Sequence, residues 1–424
     1  MKTVGIIAEY NPFHKGHAYQ LSRAKACTGA DYAVAVISGP FVQRGFPALA
    51  DKYARAEMAL RGGADLVLEL PVFYAAGSAE TFARGAVSLL ESLGCVDFLC
   101  FGSECGDLKP LLSYARLFEE EPEGYRQLLR SYAKQGFSFP AARSRAAEEY
   151  LNYTSGILPC TRADADCRYE SELLQSPNNI LGIEYCRALI RRKSPIRPVT
   201  LRRISSGYHD TSLHAEFASA SAIRSSILRE GLTDRTAGQL PAASWKILKD
   251  CAREGRLFSP EDFSPMLFYR LLSLSQERLA AFQDISEDLA ARIDNLKFQF
   301  TGFTAFADLL KTKQLTHTHI TRALCHILLD LYQEDFLRLK EADFPVYLRI
   351  LGFRKSASPL LAAIKQQGCA PLLAKPADAG SVLSPVQRFL FEKDGFAAHI
   401  CEAVRVCRCQ GPFIHECTRS PILL

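Results

Sequence analysis

Ile6-Ile7-Ala8-Glu9-Tyr10-Asn11-Pro12-Phe13-His14-Lys15-Gly16-His17 is the stretch on which the fold turns. An apolar first strand ends near Ala8, Asn11-Pro12 makes a turn, and a helix is expected to begin around His14 or Lys15. A helix starting there aims its free N–H groups and the positive end of its dipole at the top of a sheet, which makes an anion site. His14 and His17 are three residues apart and so share one face of the first turn. Gly16 between them carries no side chain, so a flat or bulky ligand can approach the backbone. The arrangement suits a nucleotide whose phosphates gain negative charge during displacement at the α-phosphorus. Two other readings stay open at this point. The histidines are zinc ligands if a third ligand exists, or two ordinary surface residues beside a turn.

The surrounding sequence has the matching rhythm. Thr3–Ala8, Ala33–Ser38, Ala64–Leu70 and Val96–Phe101 are short apolar runs, and Lys15–Cys27, Asp51–Arg61 and Ala79–Leu93 between them read as helices. Continuous apolar strands alternating with amphipathic helices predict βαβ units, hence a parallel sheet covered on both faces. Ligands then collect at the C-terminal strand ends. After Glu104 the pattern turns helical, with candidates at Leu108–Glu120, Tyr125–Gln135, Ala141–Tyr153 and Asn179–Arg192, before a strand-like Pro198–Ile204. This predicts a helical insertion at about residues 106–175. From about Ser219 onward nearly everything reads as helix, Tyr347–Leu351 included. The expected division is therefore 1–235, an α/β catalytic domain, and 236–424, a mainly α-helical C-terminal domain. A length of 424 residues is consistent with about two or three domains.

Composition narrows the class of protein. With 48% hydrophobic and 23% charged residues the chain is globular, and no run approaches the ~20 apolar residues of a membrane helix. The N-terminus lacks the long apolar stretch and cleavage site of a signal peptide. Fourteen scattered cysteines suit reduced thiols and a cytoplasmic location. The denser group Cys401, Cys407, Cys409, His415 and Cys417 contains no Cys-x-x-Cys pair, so no metal site is assigned. A net charge of +5 is too mild to prove nucleic-acid binding by itself.

At Asn11-Pro-Phe-His14-x-Gly-His17 the chain resembles the nucleotidyltransferase superfamily, whose HxGH motif binds the phosphates of ATP. A Rossmann-like, HUP-type parallel sheet is the fold this implies. Ser219-Ala-Ser-Ala-Ile-Arg-Ser225 resembles the superfamily's second signature: Ser221, Ile223 and Arg224 fit, and the alanines depart from it. Serines opening a helix and followed by an arginine make a second phosphate clamp or, read alone, an ordinary capped helix. Gly5–His17, Ser38–Gly45, Phe101–Glu104, Ser176–Gly182 and Gly207–Asp210 together resemble the bacterial tRNA(Met) cytidine acetate ligase family. Those motifs lie in the N-terminal half.

That resemblance implies an ATP-dependent ligase that activates acetate as acetyl-AMP, with Mg²⁺, and acetylates N4 of the wobble cytidine of elongator tRNA(Met). It implies ATP contacts at Ile7, Ala8, Glu9, Tyr10, Asn11, Pro12, Phe13, His14, Lys15, Gly16, His17, Ala18, Tyr19 and Gln20, with His14 and His17 the catalytic pair. It extends them to Gly102, Asn178, Arg203, Ser221 and Arg224. Each has a plainer reading, such as a strand-ending turn at Phe101–Glu104 or a helix cap at Ser176–Asn179. The loop Ser38–Pro47, with Gln43-Arg44, is placed to close over ATP or hold acetate. The basic run Arg187, Arg191, Arg192, Lys193, Arg197, Arg202 and Arg203 is a solvated face or, beside a nucleotide site, a tRNA-docking surface, for which Arg187, Arg191, Arg192 and Lys193 are the candidates. Neither a DNA nor a membrane partner is expected. A cofactor-type adenylyltransferase and a non-catalytic, nucleotide-sensing RNA-binding protein remain the alternatives.

Overall fold

The computed structural model of the chain describes residues 1–154, 173–203 and 218–424. Five parallel strands form the centre: β1 (Thr3–Ala8), β2 (Tyr32–Ser38), β3 (Leu66–Leu70), β4 (Phe98–Ser103) and β5 (Arg197–Arg202). They lie in the order β5-β4-β1-β2-β3, so the chain runs outward from β1 on one side and returns to its other side at β4. The crevice above β1 and β4 is thus the topological switch point, where open α/β sheets bind ligands.

Alternation along the strands explains the two cores. Val34, Val36, Leu66 and Leu68 face one layer, and Val4, Ile6, Ala33, Ala35 and Ile37 face the other, all without measurable exposure. Burying each large aliphatic side chain contributes about 1.5–3 kcal/mol, and these strands are covered on both faces. Helices α1 (Lys15–Thr28) and α2 (Lys52–Arg61) cover one layer. Short α3 (Val72–Ala75) and α4 (Ala79–Ser92) lie in the other. The helical insertion follows β4 as α5 (Leu108–Glu120), α6 (Glu123–Lys134) and α7 (Phe139–Thr154), and α8 (Pro177–Arg191) leads back to β5.

Two sequence expectations need correction. Tyr347–Leu351 is not a helix: Leu348–Phe353 forms strand β6, antiparallel to β3, with β7 (Leu372–Leu373) and β8 (Ile422–Leu423) paired to it. A short apolar run fits either state by pattern. The open edge of β3 decides, because its buried backbone groups need partners. Strand β4 also runs two residues further than expected, so Gly102 and Ser103 belong to the strand rather than following it. Otherwise the C-terminal half is helical, and α9 (Ala220–Glu230), α10 (Ala242–Arg253), α11 (His317–Leu329) and α12 (Pro385–Cys409) matter most below.

Candidate active site

The turn after β1 is held from two directions. The Leu49 N–H donates to Asn11 Oδ1 at 2.7 Å, and the Arg224 guanidinium donates to the Asn11 carbonyl at 2.6 Å and to Ser221 Oγ at 3.1 Å. Tyr10 sits in the left-handed region at φ 47°, uncommon for a bulky residue and maintained here by full burial against Phe13 and His17. Arg55, buried on α2, ties the strand ends beneath. It donates to the carbonyls of Glu9 (2.7 Å), Ser38 (2.9 Å) and Ala50 (3.0 Å).

His14 is the N-cap of α1. Its Nδ1 accepts the Gly16 N–H at 3.0 Å, while His17 Nδ1 accepts the His14 N–H at 3.3 Å, a reciprocal capping box built from imidazoles. Because both Nδ1 atoms accept, these bonds assign each neutral ring's proton to Nε2. Burial, with Arg203 and Arg224 adding to it, pushes His14 down to about 3. Burial, then His14 and Arg203, holds His17 well below the ordinary histidine range. The pair is therefore neutral at physiological pH; the His17 ring also bonds the Pro12 backbone, and His14 keeps its Nε2–H to donate.

Around this pair lies a cleft of about 420 Å³, a size suited to a nucleotide. Ile7, Ala8, Glu9, Tyr10, Asn11, His14, His17, Gln20, Gly102, Asn178, Arg203, Ser221 and Arg224 all line it, so most of the residues singled out from sequence converge. Gly16 and Tyr19 line a small adjoining cavity with Arg202 and Ser219. Phe13 belongs to the core and Pro12 is buried beside it, Ala18 packs from α1 against the same layer, and Lys15 is exposed on the first helical turn. Gly207–Asp210 lies outside the described residues.

The wall at α8 is built differently from the expected cap. Ser176 makes no capping bond; instead the Glu104 carboxylate accepts from the Asn179 N–H at 2.9 Å and from Asn178 Nδ2 at 2.6 Å. Asn179 Oδ1 answers by accepting the N–H groups of Glu104 and Cys105. Asn178 is thereby fixed with its Oδ1 3.5 Å from Arg203, whose aliphatic stem crosses Gly102 where a Cβ would crowd it at 3.2 Å. Leu181 and Tyr185 complete this wall, and sequence reasoning passed over them. The four-residue spacing Pro177, Leu181, Tyr185 on a helix was the available signal.

Opposite stand Gln43, Arg44, Phe82 and, from the C-terminal half, Thr318. Thr321 Oγ1 donates to the Arg44 carbonyl at 2.6 Å. Gly45 has φ +73° and lies so close to α11 that a Cβ would stand 2.4 Å from the Arg322 nitrogen. Only glycine fits there, and α11 thereby becomes a fixed wall of the cleft.

The arginine cluster lies elsewhere. Arg187 pairs with Glu184 (3.3 Å), Glu80 (3.3 Å) and Glu119 (3.2 Å), Arg191 with Glu119 (2.6 Å), and Arg192 with Glu91 and Asp343. Lys193 is exposed. Tyr185 is the last α8 residue to line the cleft, so a rise of 1.5 Å per residue puts Arg187–Arg192 about 3–10 Å further along the helix axis, and Glu80, which pairs with Arg187, adjoins Ala79 of the lining. Arg192, paired with Glu91 near the end of α4, lies furthest along α8, toward the edge where β5 begins. Among the described residues, no three His, Cys, Asp or Glu side chains are placed to hold a metal, and no helix is long and apolar enough to cross a membrane.

Comparison with known proteins gives a consistent result. The family model described as HIGH Nucleotidyl Transferase matches residues 1–408. The chain is 40% identical over 374 residues to a tRNA(Met) cytidine acetate ligase of Halothermothrix orenii, covering 88% of this chain and 87% of that one. It is 38% identical over 405 residues to the protein of the same name from Acetivibrio thermocellus, covering 94% of each. A crystal structure of Thermotoga maritima TmcAL bound with alpha-thio ATP superposes with a TM-score of 0.89 at 30% identity, over 100% of both chains.

Proposed function

The chain belongs to the tRNA(Met) cytidine acetate ligase family of HIGH nucleotidyltransferases, and on that premise we propose how its cleft works. It is an ATP-dependent enzyme that acetylates a tRNA cytidine. The observation that carries the mechanism is the pair of neutral histidines whose Nδ1 atoms are tied to backbone N–H groups. Donors fixed in advance need no reorganisation when charge develops, and removing one such donor typically costs roughly 10²–10³ in rate.

In the first step an acetate oxygen bonds to the α-phosphorus of ATP. The bond to the bridging oxygen of the β-phosphate breaks, and pyrophosphate leaves with that electron pair. His14 Nε2–H, the His17 ring, the positive end of the α1 dipole, Arg203 and Arg224 hold the phosphates, and Ser221 orients Arg224. Gly102 and Asn178 serve the adenosine side. In the second step N4 of the wobble cytidine of elongator tRNA(Met) attacks the acetyl carbon and gives up a proton, and AMP departs.

ATP enters as its Mg²⁺ complex in this reading. Mg²⁺ is normally held by substrate phosphates, water and one or two carboxylates. Glu9 lines the cleft and uses one oxygen to accept the Gln43 N–H at 3.0 Å, which leaves the other for such a role. Residues 1–235 supply the adenylation chemistry, and residues 236–424 contribute to tRNA binding.

The deciding experiment is mass spectrometry of tRNA from a strain lacking the modification, after incubation with protein, ATP and labelled acetate. Label in the anticodon cytidine is the expected result. An unlabelled cytidine pool rejects the proposed reaction.

A further inference from the structure

We propose that the rim of the cleft formed by loop 38–47 and the approach to α11 is the docking surface for the anticodon loop, with Lys311 and Lys313 on its phosphates and the Phe46–His317 pair beneath an unstacked base. This deepens the reading above and rests on it for the identity of the partner.

The chemistry dictates what such a surface must do. A cytidine amine is reachable only when its base leaves the stack, and proteins hold such bases on aromatic faces while cations track the backbone. The rim supplies both. The Phe46 and His317 rings lie 6.2 Å apart at 44°, Phe46 is half-buried, and His317 is about one-third exposed. Lys311 and Lys313 are exposed, and neither makes an ion pair among the described residues.

Position ties this place to the cleft. Thr318 lines the cleft itself, and Lys313 precedes it by five residues, within about 18 Å of extended chain. The turn carrying Lys313 is closed by its own bonds, with the Leu315 N–H donating to Thr312 Oγ1 at 3.0 Å. Leu315 anchors it on the main core. The lysines thus stand on a braced turn. Two acidic groups face this side: Asp308, 3.4 Å from His317, and Asp284, paired with Arg322 at 3.1 Å. The arginines of α8 are by contrast matched by carboxylates.

The test uses the full chain with Lys311→Glu/Lys313→Glu, and separately His317→Ala. Binding of an unmodified anticodon stem-loop is measured across salt concentrations, alongside acetate-dependent ATP–pyrophosphate exchange without RNA. The double variant should lose about tenfold or more in affinity near 0.1 M salt, and its salt slope should fall by about 0.7–0.9 per lost contact. His317→Ala should lose at least about fivefold, as removal of a stacking ring does. Exchange should be unchanged in the double variant. Unaltered affinity and slope overturn the proposal, as does an equal loss against fully duplex RNA. If the slope falls but the unsubstituted protein shows no acetate-dependent exchange, the docking surface stands and the proposed reaction falls.

Discussion

Along α8, Arg187, Arg191 and Arg192 are matched by Glu80, Glu91, Glu119, Glu184 and Asp343. At the cleft and its rim, Arg203 and Arg224 converge on two neutral histidines, and Lys311 and Lys313 make no ion pair among the described residues. The first group has the higher density of basic residues in sequence, and the second has the charge still available to a polyanion. A cation already paired and half-buried has little attraction left for phosphate, whereas its own network suffers if it is broken. Density of basic residues along a chain therefore has to be read together with their pairing state.

The largest effect that sharpens this contrast is expected at the cleft. His17→Ala removes one preorganised ring of the phosphate site and should lower acetate-dependent exchange by roughly 10²–10³. Because His17 Nδ1 also completes the cap of α1, about 1 kcal/mol of stability should go with it. A folded variant with near-normal exchange would break the assignment.

Charge reversal along α8 comes next. Arg191→Glu/Arg192→Glu sets carboxylates against Glu119, Glu91 and Asp343, and should destabilise the fold by about 1–3 kcal/mol, read as a lower thermal midpoint. The neutral pair Arg191→Gln/Arg192→Gln should leave the salt slope of tRNA binding unchanged. A fall in that slope would return these arginines to the docking surface.

His14 gives a pH test of similar size. The unfolded chain takes up a proton near 6.5 and the folded chain only near 3, so this residue disfavours folding progressively as pH falls from 6.5 towards 3. The slope is at most about 1.4 kcal/mol per pH unit. His14→Asn keeps a capping acceptor and should flatten the loss of stability between pH 7 and 5, followed by thermal unfolding. The smallest effect is expected for Asp308→Asn, which removes a rim carboxylate and should tighten tRNA binding by about twofold at low salt, fading as salt screens it.

Local features were the legible ones. The strand, turn and histidine-capped helix at the N-terminus could be read because each signal lies within a few residues of the next, and the Ser219 cap of α9 likewise. What escaped depends on distant partners. The Glu104 carboxylate caps a helix that begins more than seventy residues later in the chain, and of the carboxylates answering the α8 arginines all but Glu184 come from α4, α5 or Asp343 in the C-terminal half. Strand β6 was taken for helix because nothing within Tyr347–Leu351 signals an unpaired sheet edge at β3. Gly45 was visible as a loop glycine, but its reason, the backbone of α11 at contact distance, was not.

The pairing of β3 with β6 also sets an order of events on the ribosome. Leu66–Leu70 is made early, yet the strand that covers its edge follows only about 280 residues later. At about 5–20 residues per second that interval lasts on the order of 15–60 s. Throughout it the nascent chain presents a strand edge that is apolar but for Glu69, next to a nucleotide cleft that still lacks its α11 wall. A fragment ending near residue 235 carries both histidines but retains that exposed edge permanently, and such edges recruit other chains. The same antiparallel strand that completes the sheet therefore makes synthesis of the C-terminal half a condition for covering the edge of the N-terminal sheet.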